Sequence, residues 1–159
     1  MSRSIDLIVV HCSATRPSLE WGAADIEYLH RRVNGWSAIG YHYVIRRNGI
    51  LEDGRQIDKP GAHVAGHNAR SIGICLIGGV DDKGEAQANY TPIQYQALAA
   101  TLRMLRMRYR DARICGHRDL SPDRNGNGII EANEWLKQCP CFDVTEWCKE
   151  SGIDPRGRT

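Results

Sequence analysis

No stretch of this chain approaches the roughly 20 consecutive apolar residues that a membrane-spanning helix requires, so no membrane partner is expected. The first apolar run, Leu7-Ile8-Val9-Val10, stops at His11, is too short for a secretory core, and is followed by no small-residue cleavage site. Synthesis in the cytoplasm without a signal peptide is the expectation, so a substrate outside the cell would be reached only after release by another agent. Charge of one sign is also scarce: a net charge of +2 is too small to make nucleic acid the expected partner. Repeats, low-complexity tracts and linkers are absent, which leaves one domain and one core for 159 residues. The local histidine pair of H-E-x-x-H is missing. So is the H-x-E with P-C-x-x-C pattern, which argues against a zinc nucleobase deaminase.

What is present is an ordinary globular mix, 42% hydrophobic and 25% charged, enough for a packed core. Ile5 to His11 reads as a buried strand, and Ala23 to Val33 as a helix by the spacing of Ile26, Leu29 and Val33. Tyr41 to Arg46 alternates, and Asn48-Gly49 turns it back into Ile50 to Asp53. Ser71 to Ile77 is a second buried strand, stopped by Gly78-Gly79. Thr91-Pro92 starts a helix with a capping hydroxyl and a proline in its first turn, and Leu98, Leu102, Leu105 and Tyr109 form its apolar stripe. Ala112 to Cys115 is a short strand, Asp143 caps a last helix through Cys148, and Asp154 to Thr159 is expected to fray. Strands mixed with long helices predict an α/β domain with helices packed on its sheet. The even count of six cysteines permits a disulfide scaffold, but without a signal peptide reduced thiols plus one metal ligand fit better.

Three separated residues suggest a metal. His11 ends the first strand, His117 follows the strand that ends at Cys115, and Cys139 lies in Lys137-Gln138-Cys139-Pro140. Strand ends are rigid places from which to aim ligands. Two imidazoles and one thiolate match a catalytic zinc site whose fourth position stays open for water. The spacing by itself also suits two hydrogen-bonded histidines and a core cysteine.

Five segments, in order, resemble the motifs of the type-2 N-acetylmuramoyl-L-alanine amidase family, which includes a small phage lysozyme and the peptidoglycan recognition proteins. They are His11-Cys12-Ser13-Ala14-Thr15, Gly40-Tyr41-His42-Tyr43, Ser71-Ile72-Gly73-Ile74-Cys75-Leu76, Gly116-His117-Arg118-Asp119 and Lys137-Gln138-Cys139-Pro140. Asp81-Asp82-Lys83-Gly84 also resembles the phage member. The resemblance implies a central mixed β-sheet flanked by helices, with zinc in a surface groove held by His11, His117 and Cys139. It implies hydrolysis of the amide between N-acetylmuramic acid and L-alanine in bacterial peptidoglycan. Tyr41 and Lys137 take the catalytic roles by the same resemblance: the phenol can donate a hydrogen bond and the ammonium can face an oxyanion. His63 and Asn68 resemble cleft-lining, substrate-binding positions. Cys75 stands where many bacterial relatives carry a glutamate general base, so the proton carrier is left open.

Asp123 to Glu134 reads Asp-Arg-Asn-Gly-Asn-Gly-Ile-Ile-Glu-Ala-Asn-Glu, the pattern of a twelve-residue EF-hand loop. Asp123, Asn125 and Asn127 would offer side-chain oxygens, Ile129 its carbonyl and Glu134 both carboxylate oxygens, with Glu131 acting through water and Ile130 turned to the core. Calcium, a hard ion, suits that set, whereas zinc suits the imidazoles and thiolate. Pro122 argues against a full incoming helix, so the loop is EF-hand-like. It lies between His117 and the Lys137-Cys139 pair, which suggests that calcium orders both residues.

The expected partner is peptidoglycan, and the expected state a monomer acting on the wall after release. A peptidoglycan-binding module without catalysis is the first alternative, although such relatives typically lack the cysteine ligand. RNA polymerase, regulated by the phage member of the family, is the second, and a pull-down with polymerase tests it.

Overall fold

The computed structural model describes residues 2–157. Five strands form one sheet: β1 (Leu7–Cys12), β2 (Tyr43–Ile45), β3 (Leu51–Asp53), β4 (Ser71–Leu76) and β5 (Arg113–Gly116), in the spatial order β3-β2-β4-β1-β5. β2, β4, β1 and β5 run parallel and β3 is antiparallel at the edge, so the sheet is mixed. Three helices pack on it: α1 (Ala23–Arg32), α2 (Pro92–Arg108) and α3 (Val144–Glu150).

β1 and β4 are buried along their whole length, as their near-continuous apolar runs require of central parallel strands covered on both faces. Alternation then sorts their side chains. Ile8, Val10, Ile72, Ile74 and Leu76 meet Leu98, Leu102 and Leu105 of α2 and Val144 and Cys148 of α3. Each fully buried leucine there contributes about 2 kcal/mol of apolar transfer. On the other face Cys75 and Ile77 pack with Ile26 of α1, while Leu7 and Val9 pack with Val64 and Cys115. His11 has the parity of Leu7 and Val9 and lies in register with Cys75, so it points to this second face.

The helix starts follow from local chemistry. The Thr91 hydroxyl accepts from the Gln94 amide at 3.2 Å while the Gln94 side chain accepts from the Thr91 amide at 3.0 Å, with Pro92 opening α2. Asp143 caps α3 by accepting from the Glu146 amide at 2.9 Å. The Asn48-Gly49 turn forms as expected, with Gly49 at φ +82°. β2 is shorter than the expected Tyr41–Arg46, because the Tyr41 and His42 carbonyls bond to Arg55 and Gly54 in the loop after β3 rather than to a ladder partner.

The expectation of a frayed tail from Asp154 is overturned as far as Gly157, while residues 158–159 lie outside the described range. Ile153 and Pro155 are buried, and the Pro155 carbonyl accepts from the Ile114 amide of β5 at 2.8 Å. Polar sequence at a chain end hid this docking, which depends on a backbone group some 40 positions away. All six cysteines are unbridged, and no helix among the described residues is long and apolar enough to cross a membrane.

Candidate active site

Parallel strands β1 and β5 end side by side, and their C-terminal ends carry His11 and His117. Cys139 arrives from the far side of the inserted loop. Together His11, His117 and Cys139 place one potential ligand atom each within 4.8 Å of one another, the one group of three His, Cys, Asp or Glu donors so arranged among the described residues. The Cys139 Sγ lies 3.9 Å from His11 Nδ1. Nitrogen and sulfur ligands of one tetrahedral zinc ion, at about 2.0 and 2.3 Å from the metal, stand roughly 3.6 Å apart. The donor set and its spacing therefore fit zinc.

Both imidazoles are held in the neutral form. Burial, then the neighbouring His63, His117 and Lys137, hold His11 well below the usual imidazole range. Burial, then the Lys137 charge, brings His117 down to about 4. A neutral imidazole offers its lone pair to a metal at neutral pH without first losing a proton.

Cys139 is held from outside the loop. Its Sγ accepts from the Cys12 amide at 3.1 Å, and its carbonyl accepts from the Arg118 amide at 2.9 Å. The next carbonyl, of Pro140, accepts from the buried Tyr90 hydroxyl at 2.7 Å. Pro140 also presses on Gly116, where any Cβ would come within 2.8 Å of Pro140 Cδ. Cys139 thus has contacts to β1, to the segment following β5 and to the segment before α2, all outside the Asp123–Glu134 loop.

Tyr41 stands beside the ligands, its ring centroid 5.1 Å from that of His11. Burial, then the nearby Cys75 thiol, raises its phenol well above the usual range, so it remains a hydrogen-bond donor. Cys75 is itself fully buried, and burial pushes its thiol well above the usual range. It is a neutral neighbour of Tyr41 and not a substitute for a glutamate base. Lys137 is exposed, and its charge helps to lower both His11 and His117.

His63 and Asn68, expected to line the cleft, have partners inside the protein. His63 is 8% exposed, and both ring nitrogens are occupied: Nδ1 lies 2.8 Å from His11 Nε2 and Nε2 lies 3.2 Å from the Ser71 hydroxyl. No polar atom of that ring is left for substrate. The Asn68 Oδ1 accepts from the His63 and Val64 amides at 2.9 and 3.0 Å, tying down the loop that carries His63. Neither contact was legible in the sequence, where the close-packed Gly61 and Gly73 are a trace of the buried ring.

The chain from Asp123 to Glu134 is largely exposed and bonds mainly to itself. Asp123 accepts from the Gly126 and Gly128 amides, both at 2.7 Å, and Asn125 and Asn127 each accept from the amide two residues on. Glu134 is buried, and the amides of Glu131, Arg124 and Asn125 hold its carboxyl below the usual range. Its oxygens thus turn inward, but the loop's carboxylates do not gather into a three-donor cluster of the kind formed by His11, His117 and Cys139. Ile130 is half-buried and joins none of the core clusters, contrary to expectation. The flanking elements are single 3-10 turns, His117–Leu120 and Ala132–Glu134, which agrees with the absence of a full incoming helix. Arg118 stacks over Trp135 at 3.9 Å and Ser121 accepts from the Leu136 amide at 3.1 Å, closing the neck of the loop.

This arrangement has relatives. Residues 1–140, which include all three ligand candidates, match the family model described as N-acetylmuramoyl-L-alanine amidase. The chain belongs to that family. It is 40% identical over 146 residues to an endolysin of Klebsiella phage KP32, covering 92% of this chain and 87% of the relative. It is also 40% identical over 150 residues to the endolysin of Escherichia phage T7, covering 94% and 89%. Among solved structures, the N-acetylmuramoyl-L-alanine amidase LysC from Clostridium intestinale superposes with a TM-score of 0.71 at 25% identity, covering 96% of this chain and 88% of that one. Drosophila PGRP-LB, at 19% identity and a TM-score of 0.70 over 100% of this chain and 88% of that one, shares the fold. The mixed sheet with helices on both faces is thus the amidase fold.

Proposed function

We infer that this amidase acts as an endolysin: it hydrolyses the amide joining the lactyl group of N-acetylmuramic acid to the L-alanine of the stem peptide in bacterial peptidoglycan, using zinc. The observation that carries the zinc-dependent part is the convergence of His11, His117 and Cys139 within 4.8 Å. When bound, zinc supplies Lewis acidity, polarising the amide carbonyl and activating water at neutral pH.

The chain's own residues do the rest. Tyr41, protonated and next to the ligand cluster, donates a hydrogen bond toward the oxygen that gains charge when water attacks. Lys137, two residues before Cys139 and acting electrostatically on His117, supplies a positive charge that stabilises that oxyanion. Cys75, a neutral buried thiol, takes no proton, so Tyr41 and Lys137 carry the electrostatic work between them. A binding module without catalysis would not need Cys139 as a third donor beside the two histidines.

Calcium is a second proposed ligand, in the Asp123–Glu134 loop, through oxygens of Asp123, Asn125, Asn127, Ile129 and Glu134. The sequence pattern and the inward carboxyl of Glu134 support it. Since Cys139 is held elsewhere, calcium acts on the position of Lys137. The deciding experiment is digestion of purified peptidoglycan with zinc present and calcium varied, read by mass spectrometry. Stem peptides beginning with L-alanine beside intact glycan strands are expected. Intact sacculi that retain the zinc-loaded protein would replace the enzyme with a recognition module.

A further inference from the structure

The two nitrogens of His11 face different ways. Nδ1 lies toward Cys139, with its Sγ at 3.9 Å, while Nε2 lies 2.8 Å from His63 Nδ1 in the buried layer behind the site. The His63 Nε2 lies 3.2 Å from the Ser71 hydroxyl at the start of β4, a residue with no exposed surface. The His11 and His63 rings meet at 86° with centroids 4.8 Å apart, so the nitrogen of one addresses the edge of the other.

The His63 ring has little freedom. A Cβ at Gly73 would stand 2.7 Å from its Cγ and Cδ2, and a Cβ at Gly61 would stand 2.5 Å from its Cδ2. Glycine at both positions is what leaves room for the ring. The Asn68 side chain fixes the backbone beneath it.

We propose that His63 is a positioning residue for the metal: it accepts the Nε2 proton of His11, fixing the tautomer and ring angle that present His11 Nδ1 as a ligand. The proton arrangement follows along the line. A neutral His11 that ligates through Nδ1 carries its proton on Nε2. His63 must then accept through Nδ1, which puts its own proton on Nε2 and directs it to the Ser71 oxygen. Neither His63 nor Ser71 touches the metal or the substrate. Partners of this kind behind a ligating histidine typically alter metal affinity 10- to 100-fold. The inference rests on the zinc reading above and adds to it a residue outside the ligand set.

The test separates the hydrogen bond from mere space-filling. His63→Leu keeps bulk and removes the acceptor, while His63→Asn places an amide oxygen near the position of Nδ1. Zinc dissociation constants are measured by competition with a chromophoric chelator, alongside the visible absorption of the cobalt-substituted proteins and the melting of the metal-free forms. Expected are a 10- to 100-fold loss of zinc affinity and an altered cobalt spectrum in His63→Leu, with His63→Asn within a few-fold of the unaltered protein. Ser71→Ala is expected to show a smaller loss in the same direction. Wild-type affinity and spectrum in His63→Leu would overturn the proposal, as would equal losses in the leucine and asparagine variants. Failure of the unaltered protein to take up zinc in a manner abolished by Cys139→Ser would overturn the metal reading and this proposal with it.

Discussion

Cys139 and Lys137 are two residues apart and belong to different mechanical worlds. The cysteine is tied by its sulfur to β1, by its carbonyl to the 3-10 turn after β5, and through Pro140 to the Tyr90 hydroxyl. The lysine is exposed at the end of a self-bonded loop whose link to the body is the Arg118–Trp135 stack and the Ser121–Leu136 bond. In the proposed function, metal binding belongs to the sheet and charge stabilisation to the loop. Disturbing one should leave the other measurable.

The largest effect should come from the sheet side. Cys139→Ser or His11→Ala is expected to abolish tight zinc binding and lower peptidoglycan turnover at least about 1000-fold, since activation of water and polarisation of the amide go together. Residual turnover within tenfold of wild type would break the zinc assignment. Next, Lys137→Met and Tyr41→Phe should each lower kcat by about 100-fold, on the scale of removing one oxyanion donor, with zinc affinity unchanged. Wild-type turnover in both variants would remove these residues from the chemistry.

Acid should also strike the sheet side. His42 is buried, its Nδ1 accepts from the Gly73 amide at 3.0 Å, and burial brings it down to about 4. The unfolded chain takes up that proton near pH 6.5 while the folded one excludes it until about pH 4. This contribution to stability is whole above pH 6.5 and is lost as pH falls to 4, on the order of 3 kcal/mol. Urea denaturation of the metal-free protein across that range, compared with His42→Gln, would measure it, and identical slopes would rule it out.

Tyr90→Phe leaves the Pro140 carbonyl without its donor and should cost about 1–2 kcal/mol, seen as a roughly tenfold weaker zinc affinity. The smallest effect should come from the loop. Selective removal of calcium, or Glu134→Gln, should lower the melting temperature by a few degrees and reduce kcat several-fold while zinc affinity holds. A parallel fall in zinc affinity would show that the loop, after all, supports Cys139.

Much of the fold was legible because its signals are local. The apolar runs of β1 and β4, the Asn48-Gly49 turn, the Thr91-Pro92 start of α2 and the Asp143 cap of α3 each depend on residues within one element. The ligand candidates were legible through the order of five short motifs, since their spacing alone did not distinguish a metal site from core residues. Cys75 was visible as a departure, but its neutrality was not, because a thiol's charge depends on burial that the strands on either side of β4 help to create.

The sequence by itself determined which side chains were available: two imidazoles at strand ends, a thiol after a loop, a phenol, an ammonium, and an oxygen-rich twelve-residue loop. The tertiary structure decided what each could do. His63 lies 52 positions from His11, and no local pattern encodes a 2.8 Å approach that requires β1, β4 and the glycines at 61 and 73 to pack together. Cys139 owes its position to partners on β1, on the 3-10 turn after β5 and in the segment before α2, while the exposed Lys137 side chain has no hydrogen-bond partner among the described residues. Residue type is a property of the chain, whereas burial, tautomer and rigidity arise from contacts between distant parts of it.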